Sequence, residues 1–258
     1  MVKRDDLTKF IEKTIGTELL VKARSFDEVA NGVQLIGNPE VLKIALGVSL
    51  NSDFLHEAIK AKAEYCLFHH GFDSRTVGSC YSKSSQERLQ LIIKNDLTIA
   101  GYHYALDSQP EFGNNATIAK LLGATIVDTL YDECGYVAKL PKPISVTDLS
   151  KICAGIFSHD ILAIKTGSKK VQTLGIVSGG GKPYQANIEE MHKKGVDLYL
   201  SGESAESRIH AMEEEGINYL LCGHYATEVF GVQELGKILK SHYKDKLAVE
   251  FIDLPNPL

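Results

Sequence analysis

Leu7, Phe10, Ile11 and Ile15 recur at spacings of three and four, which places one apolar stripe on a helix near the N-terminus. The period then changes. At 41–50, VLKIALGVSL, aliphatic and β-branched residues run almost without interruption, as in a buried strand. From there two periods alternate. SDFLHEAIKAKA (52–63), SSQERLQLIIKND (84–96), NNATIAKLLG (114–123), SVTDLSKICAGIF (145–157), YQANIEEMHKK (184–194) and SAESRIHAMEEEG (204–216) predict helices, several opening on Ser or Asn caps. YCLFHH (65–70), LTIAGYH (97–103), GYVAKL (135–140), ILAIKTG (161–167), VQTLGIVS (171–178), VDLYLSGE (196–203), INYLLCGH (217–224) and LAVEFID (247–253) predict strands. Such alternation predicts an α/β fold. Near 124–145, at DECGYVAKLPKP, a Gly and two prolines interrupt the rhythm, and a domain boundary is expected there.

One pattern recurs: a helix ending in charge or Gly, a short apolar strand, then a polar group able to bind metal. The copies are KAKAEYCLFHH (60–70), HKKGVDLYLSGE (192–203) and EEEGINYLLCGHY (213–225), and LTIAGYHYALD (97–107) ends in the same way on His103 and Asp107. In open α/β sheets ligands bind beyond the carboxyl ends of strands, where these side chains fall. Adjacent side chains of a regular strand point to opposite faces, so His69 and His70 are expected to serve one site from a strand already opened into a loop, which Gly71 would allow. Two adjacent imidazoles then reach two neighbouring ions more naturally than they share one. His224 and Glu228, four apart where a helix begins, share a helical face. Each piece has a purely structural counterpart: a hydrogen-bonded histidine pair, a Glu favoured at a helix N-terminus, an Asp107 that closes a turn. Together the five supply nitrogen and oxygen donors without thiolate, which suits Zn²⁺, Mn²⁺, Fe²⁺ or Co²⁺. With Glu228 bridging, two ions about 3.5–4 Å apart would keep open positions for water, the logic of dinuclear hydrolases.

In order and spacing, NGVQLIG (31–37), FHHGF (68–72), GYHYALD (101–107), SGGG (178–181), LYLSGE (198–203) and GHYATE (223–228) resemble the Nif-three-like dinuclear metal family, also described as GTP cyclohydrolase 1 type 2 homologues. The resemblance runs over nearly the whole chain. It implies that His70 and Asp107 hold one ion, His69 and His224 the other, and that Glu228 bridges them. It sets His103 close to the site, as a further ligand or a partner of the ligands; read from the residues, His103 is also the candidate catalytic acid. It also implies two interlinked α/β domains with mixed sheets, the C-terminal segment returning to the first: 1–124 with 223–258, and 125–222. A ring-shaped homohexamer is expected. Two departures bear on substrate contacts: Gly71 and Phe72 follow the histidine pair where many members carry proline, and HYALD replaces a more common His-Thr-Asn-containing stretch. The chain has no room for the middle domain that longer members insert.

Charge narrows the function further. A net charge of -5 over 258 residues gives no global basic field, so nucleic acid is not a favoured partner. Five cysteines, at 66, 80, 134, 153 and 222, form no C-x-x-C pair and fit a reducing cytosol. The start, MVKRDDLTKFIEKTIG, has no secretory apolar core and no run approaches 18 apolar residues, so a soluble cytoplasmic protein is expected. VSGGGKPYQAN sets glycines and Lys182 between a strand and a helix, either as an anion cradle or as a tight turn, without P-loop spacing. Glu203 reads as an orienting partner for a ligand histidine or as a helix cap. Cys222, next to an apolar strand, is not expected to be a nucleophile, and NAT at 115–117 carries no glycosylation meaning without a secretory signal.

The expected function is a metal-dependent hydrolase that uses an ion-bound hydroxide on a small molecule, a nucleotide or phosphoester among the candidates. The alternative is a metal carrier, store or regulator without turnover, and a third reading is a scaffold whose ions only lock loops.

Overall fold

The structure is a computed structural model that describes residues 1–72 and 80–256. The chain divides into two compact units: Met1–Phe112 with Gly231–Leu254, and Gly113–Phe230 with the extreme C-terminal residues from Pro255 on.

The first unit contains β1 (Val2–Lys3), α1 (Arg4–Ile15), α2 (Thr17–Phe26), β2 (Asn31–Leu35), β3 (Glu40–Val41), β4 (Lys43–Ser49), α3 (Ser52–Lys60), β5 (Tyr65–His70), α4 (Lys83–Lys94), β6 (Thr98–Tyr102), α5 (Tyr104–Ser108) and the C-terminal strand β13 (Ala248–Phe251). Its five-stranded sheet has the order β13-β4-β5-β6-β2. The first four strands are parallel and β2 runs antiparallel against β6. The apolar run at 41–50 is the buried strand β4, as its composition predicts, and Leu7, Ile11 and Ile15 form the buried stripe of α1. Asn51 caps α3 by accepting the N–H of Phe54, and this helix lays Phe54, Leu55 and Ala58 against Ala45, Cys66, Phe68 and Ile99 of the sheet. The helix thereby braces β5, the strand that ends in the histidine pair.

The second unit contains α6 (Asn114–Leu121), β7 (Thr125–Leu130), β8 (Gly135–Ser145), α7 (Val146–Phe157), β9 (Leu162–Ile164), β10 (Lys170–Val177), α8 (Gln185–Lys193), β11 (Leu198–Ser201), α9 (Glu206–Glu214), β12 (Asn218–Leu221) and the start of α10 (His224–Tyr243). Its sheet has the order β7-β8-β10-β11-β12-β9, parallel through β10, β11 and β12 and antiparallel at both flanks. Both large sheets are thus mixed, and the protein is α/β.

The break in rhythm at 124–145 is a β-hairpin inside the second unit. Residues 125–130 form β7, which pairs with β8 across a turn where Tyr131, Asp132 and Glu133 all take left-handed backbone conformations. β8 runs on through Pro141 and Pro143. Its pairing with β7 ends at Lys139, and its register with β10 shifts between Val171 and Thr173, so both prolines fall in an irregular stretch where no ladder donor is required. Among the described residues no helix is long and apolar enough to cross a membrane.

Candidate metal centre

In the first unit, β5 carries His69 and His70 at its carboxyl end. The strand does not open into a loop before them: pairing to β4 continues to Ser49↔His70, whereas pairing to β6 stops at Phe68↔Gly101. Release on the β6 side leaves the two rings with centroids 4.6 Å apart. Gly71 does not take a left-handed conformation; a Cβ there would overlap the Gln34 side-chain oxygen and stand 3.2 Å from the Gly101 Cα, so close approach is what requires glycine. After β6 the chain turns at His103 into α5, a single buried turn that carries Asp107. Asp107 is therefore helical, not a turn residue of a loop.

The three histidines are anchored alike. His69 Nδ1 donates to the Tyr102 carbonyl at 3.2 Å, His70 Nδ1 lies 3.0 Å from the Ser49 hydroxyl, and His103 Nδ1 lies 2.9 Å from the Asp27 carboxylate. An anchored Nδ1 leaves Nε2 as the nitrogen each ring presents. The His103 ring stands 5.0 Å from that of His69 and 5.3 Å from that of His70, centroid to centroid. His69 Nε2 is 3.5 Å from the Asp107 carboxylate.

Asp27, at the C-cap of α2, is a site residue that sequence reasoning missed. Burial pushes its carboxyl up, but hydrogen bonds and charge from His103, the Asn31 amide and the Tyr104 N–H outweigh this and hold it down at about 2. Asn31 in turn accepts the N–H of Ala105 at 3.1 Å, tying Asp27 to the first turn of α5. Its only trace in the sequence is Asn31 itself, the first residue of NGVQLIG.

In the second unit, α10 begins at His224, directly after Gly223, which is left-handed at φ 85°. Glu228 follows one turn on, buried, with its carboxylate 3.2 Å from His224 Nε2. His224 Nδ1 is 3.4 Å from Glu203, whose other oxygen is 2.5 Å from Lys182 Nζ. Burial alone would lower the His224 pKa, but the carboxylates of Glu228 and Glu203 prevail and raise it above the ordinary imidazole value. Lys182 foremost, with His224, holds Glu203 below the usual carboxylate range.

The glycine loop at 178–181 closes on this pair. Gly179 is left-handed at φ 58°, its N–H donates to Thr227 Oγ1 at 2.9 Å, and its carbonyl accepts the N–H groups of Gly202 and Glu203. A Cβ at 179 would overlap Glu228 Oε1 and come within 3.1 Å of His224 Nε2. The loop thus clasps a carboxylate and an imidazole, and Lys182 is already paired with Glu203. Thr227, another residue missed from sequence, lies inside GHYATE. Burial pushes the Cys222 thiol well above its ordinary value, contrary to what a nucleophile needs. Asn115 is buried and donates to the Cys134 carbonyl, a structural role.

The donor chemistry fits divalent ions. His69, His70 and His103 offer donor atoms that all lie within 4.8 Å of one another, close to the span of about 4 Å that two metal–nitrogen bonds of about 2.1 Å cover. Imidazole and carboxylate are also the donors in the second unit, with the carboxylate–histidine pairing common around metal ligands. The sequence profile of Duf34/NIF3 (NGG1p interacting factor 3) matches residues 2–257. The chain belongs to the Duf34/NIF3 family. A relative from Pseudomonas aeruginosa described as a GTP cyclohydrolase 1 type 2 homolog is 33% identical over 243 residues, covering 91% of this chain and 92% of its own. Among solved structures, protein ybgI, described as of unknown function, superposes with a TM-score of 0.89 at 31% identity over the whole of both chains. TTHA1606 from Thermus thermophilus gives 0.85 at 26% identity, again over the whole of both chains. Duf34/NIF3 membership accounts for the α/β architecture with mixed sheets and agrees with the resemblance carried by the sequence motifs.

Proposed function

We propose that this Duf34/NIF3 protein binds two divalent ions, of zinc, iron, manganese or cobalt, with His69, His70, Asp107, His224 and Glu228 as ligands and Glu228 shared, and that it hydrolyses a small molecule there. The observation that carries the reading is the anchoring of the imidazoles of the first unit by Tyr102, Ser49 and Asp27, which presets ring orientation before any ligand arrives. When bound, such ions would polarise a carbonyl or phosphoryl group and acidify water. The chain's own residues would do the rest. Asp107 and Glu228, both buried, would offset the cationic charge, and His103 would exchange a proton with the bound molecule. We extend the reading to a cytoplasmic homohexamer that binds neither membrane nor nucleic acid.

The test is turnover of a panel of nucleotides and phosphoesters by metal-loaded protein against Glu228→Ala. The expected result is turnover by the wild type and a loss of at least about a hundredfold in the variant. Equal rates, together with metal that passes to an acceptor protein faster than any substrate is consumed, would replace the hydrolase with a metal carrier.

A further inference from the structure

Three imidazoles of the first unit are anchored through Nδ1, yet their anchors differ in kind. His69 is held by a backbone carbonyl and His70 by a hydroxyl, both neutral, whereas His103 alone is held by a carboxylate. That carboxylate is tightly committed. Oδ2 of Asp27 meets His103 Nδ1 at 2.9 Å, the Asn31 amide at 2.8 Å and the Tyr104 N–H at 3.1 Å, while Oδ1 accepts the Val29 N–H at 3.0 Å. Three of these donors, the Asn31 amide and the two backbone N–H groups, have no alternative protonation state. The fourth is the one ring nitrogen whose hydrogen depends on the tautomer, and a carboxylate oxygen in that place can only accept. The His103 side chain is 29% exposed, unlike the buried His69, so its other edge is within reach of a bound molecule.

From this geometry we infer that Asp27 is a positioning residue: it fixes His103 as the Nδ1–H tautomer, so that Nε2 faces the space shared with His69 and His70 with its lone pair, which, with the ions assigned to the five ligands proposed above, is left to accept a hydrogen bond from a bound molecule. The molecule processed at this centre then carries an O–H or N–H group directed at Nε2, which favours hydroxyl- or amide-bearing substrates over those that present only acceptors. The tautomer follows from the first unit alone; the acceptor role rests on the metal-centre reading above.

The test uses the full chain with ¹⁵N-labelled histidine, metal-free and zinc-loaded, at about pH 8.5, above the ordinary imidazole range. Long-range ¹⁵N–¹H correlations should show His103 protonated at Nδ1 in wild type, and its Nε2 resonance should stay outside the zinc-bound range after loading. Asp27→Ala should shift His103 to a tautomer mixture, and Asp27→Asn, which keeps one acceptor oxygen, should restore the Nδ1–H form. His103→Gln should keep the wild-type zinc stoichiometry while His69→Ala loses zinc. A wild-type His103 protonated at Nε2 overturns the positioning role, even if Asp27→Ala fails to fold. Loss of zinc in His103→Gln equal to that in His69→Ala overturns the acceptor role by making His103 a ligand. If wild type takes up no zinc, the metal-centre reading and the acceptor role fall together, and the metal-free spectrum still decides the tautomer.

Discussion

The two units surround their histidines with different partners. In the first, Nδ1 of His69 and of His70 meets a carbonyl and a hydroxyl, while His69 Nε2 lies 3.5 Å from the Asp107 carboxylate. In the second, His224 has a carboxylate near each ring nitrogen, Glu203 at 3.4 Å and Glu228 at 3.2 Å, and its pKa is raised. At His224 a metal competes with a proton held more firmly than on an ordinary imidazole, and a carboxylate lies close at hand. Nδ1 is thus held by uncharged groups at His69 and His70 and meets a carboxylate at His103 and His224.

The largest effects should come from the donors themselves. Glu228→Gln and His69→Ala should each lower metal affinity by more than the roughly 10- to 100-fold that outer partners contribute, read by calorimetric titration of the metal-free protein. If either variant keeps full affinity, the residue it replaces is not a ligand.

Gly179→Ala comes next, because its methyl would overlap the Glu228 carboxylate and its backbone is left-handed. A stability loss of about 1–2 kcal/mol from the backbone alone is expected, with weakened metal binding on top. The companion change Gly71→Ala lacks the conformational penalty and should disturb the packing against Gln34 and Gly101. Urea unfolding of both variants would show whether the two glycines differ in this way.

Asp27 offers a pH test of the first unit. Its carboxyl is held at about 2, against an ordinary value of 3.8, so it stabilises the folded protein above the ordinary value and the contribution fades as pH falls toward 2. Wild type should exceed Asp27→Leu by on the order of 2 kcal/mol from this source near pH 6, and the gap should shrink between about pH 4 and pH 2. A gap independent of pH would mean that packing, not charge, is lost. The smallest effects should come from Glu203→Gln, about tenfold in metal affinity, and from Lys182→Ala, whose part-exposed ion pair with Glu203 is worth less than about 1 kcal/mol.

How much was legible in the sequence follows from how local each signal is. The histidine pair stood out because an apolar strand has no packing reason to end on two imidazoles, and His224 and Glu228 because helical periodicity puts them on one face. The strand through His70 was misjudged because alternation of side chains assumes pairing on both edges, and here one edge is released after Phe68. α5 has only five residues, too few to show a period, so Asp107 looked like a loop residue. Asp27 meets His103 across 76 positions, and Thr227 meets Gly179 across 48; no local pattern reports such hydrogen bonds. β7 and the prolines of β8 escaped because the irregular register that admits proline is a property of the neighbouring strand.

The proposed function stands on His69, His70, Asp107, His224 and Glu228 serving one pair of ions. Its most direct measurement is an anomalous difference map from crystals of the metal-loaded full chain. The expected result is two peaks about 3.5–4 Å apart, with Glu228 bound to both and His69, His70, Asp107 and His224 completing the shells. A single peak, or peaks with Glu228 outside their coordination, would contradict it.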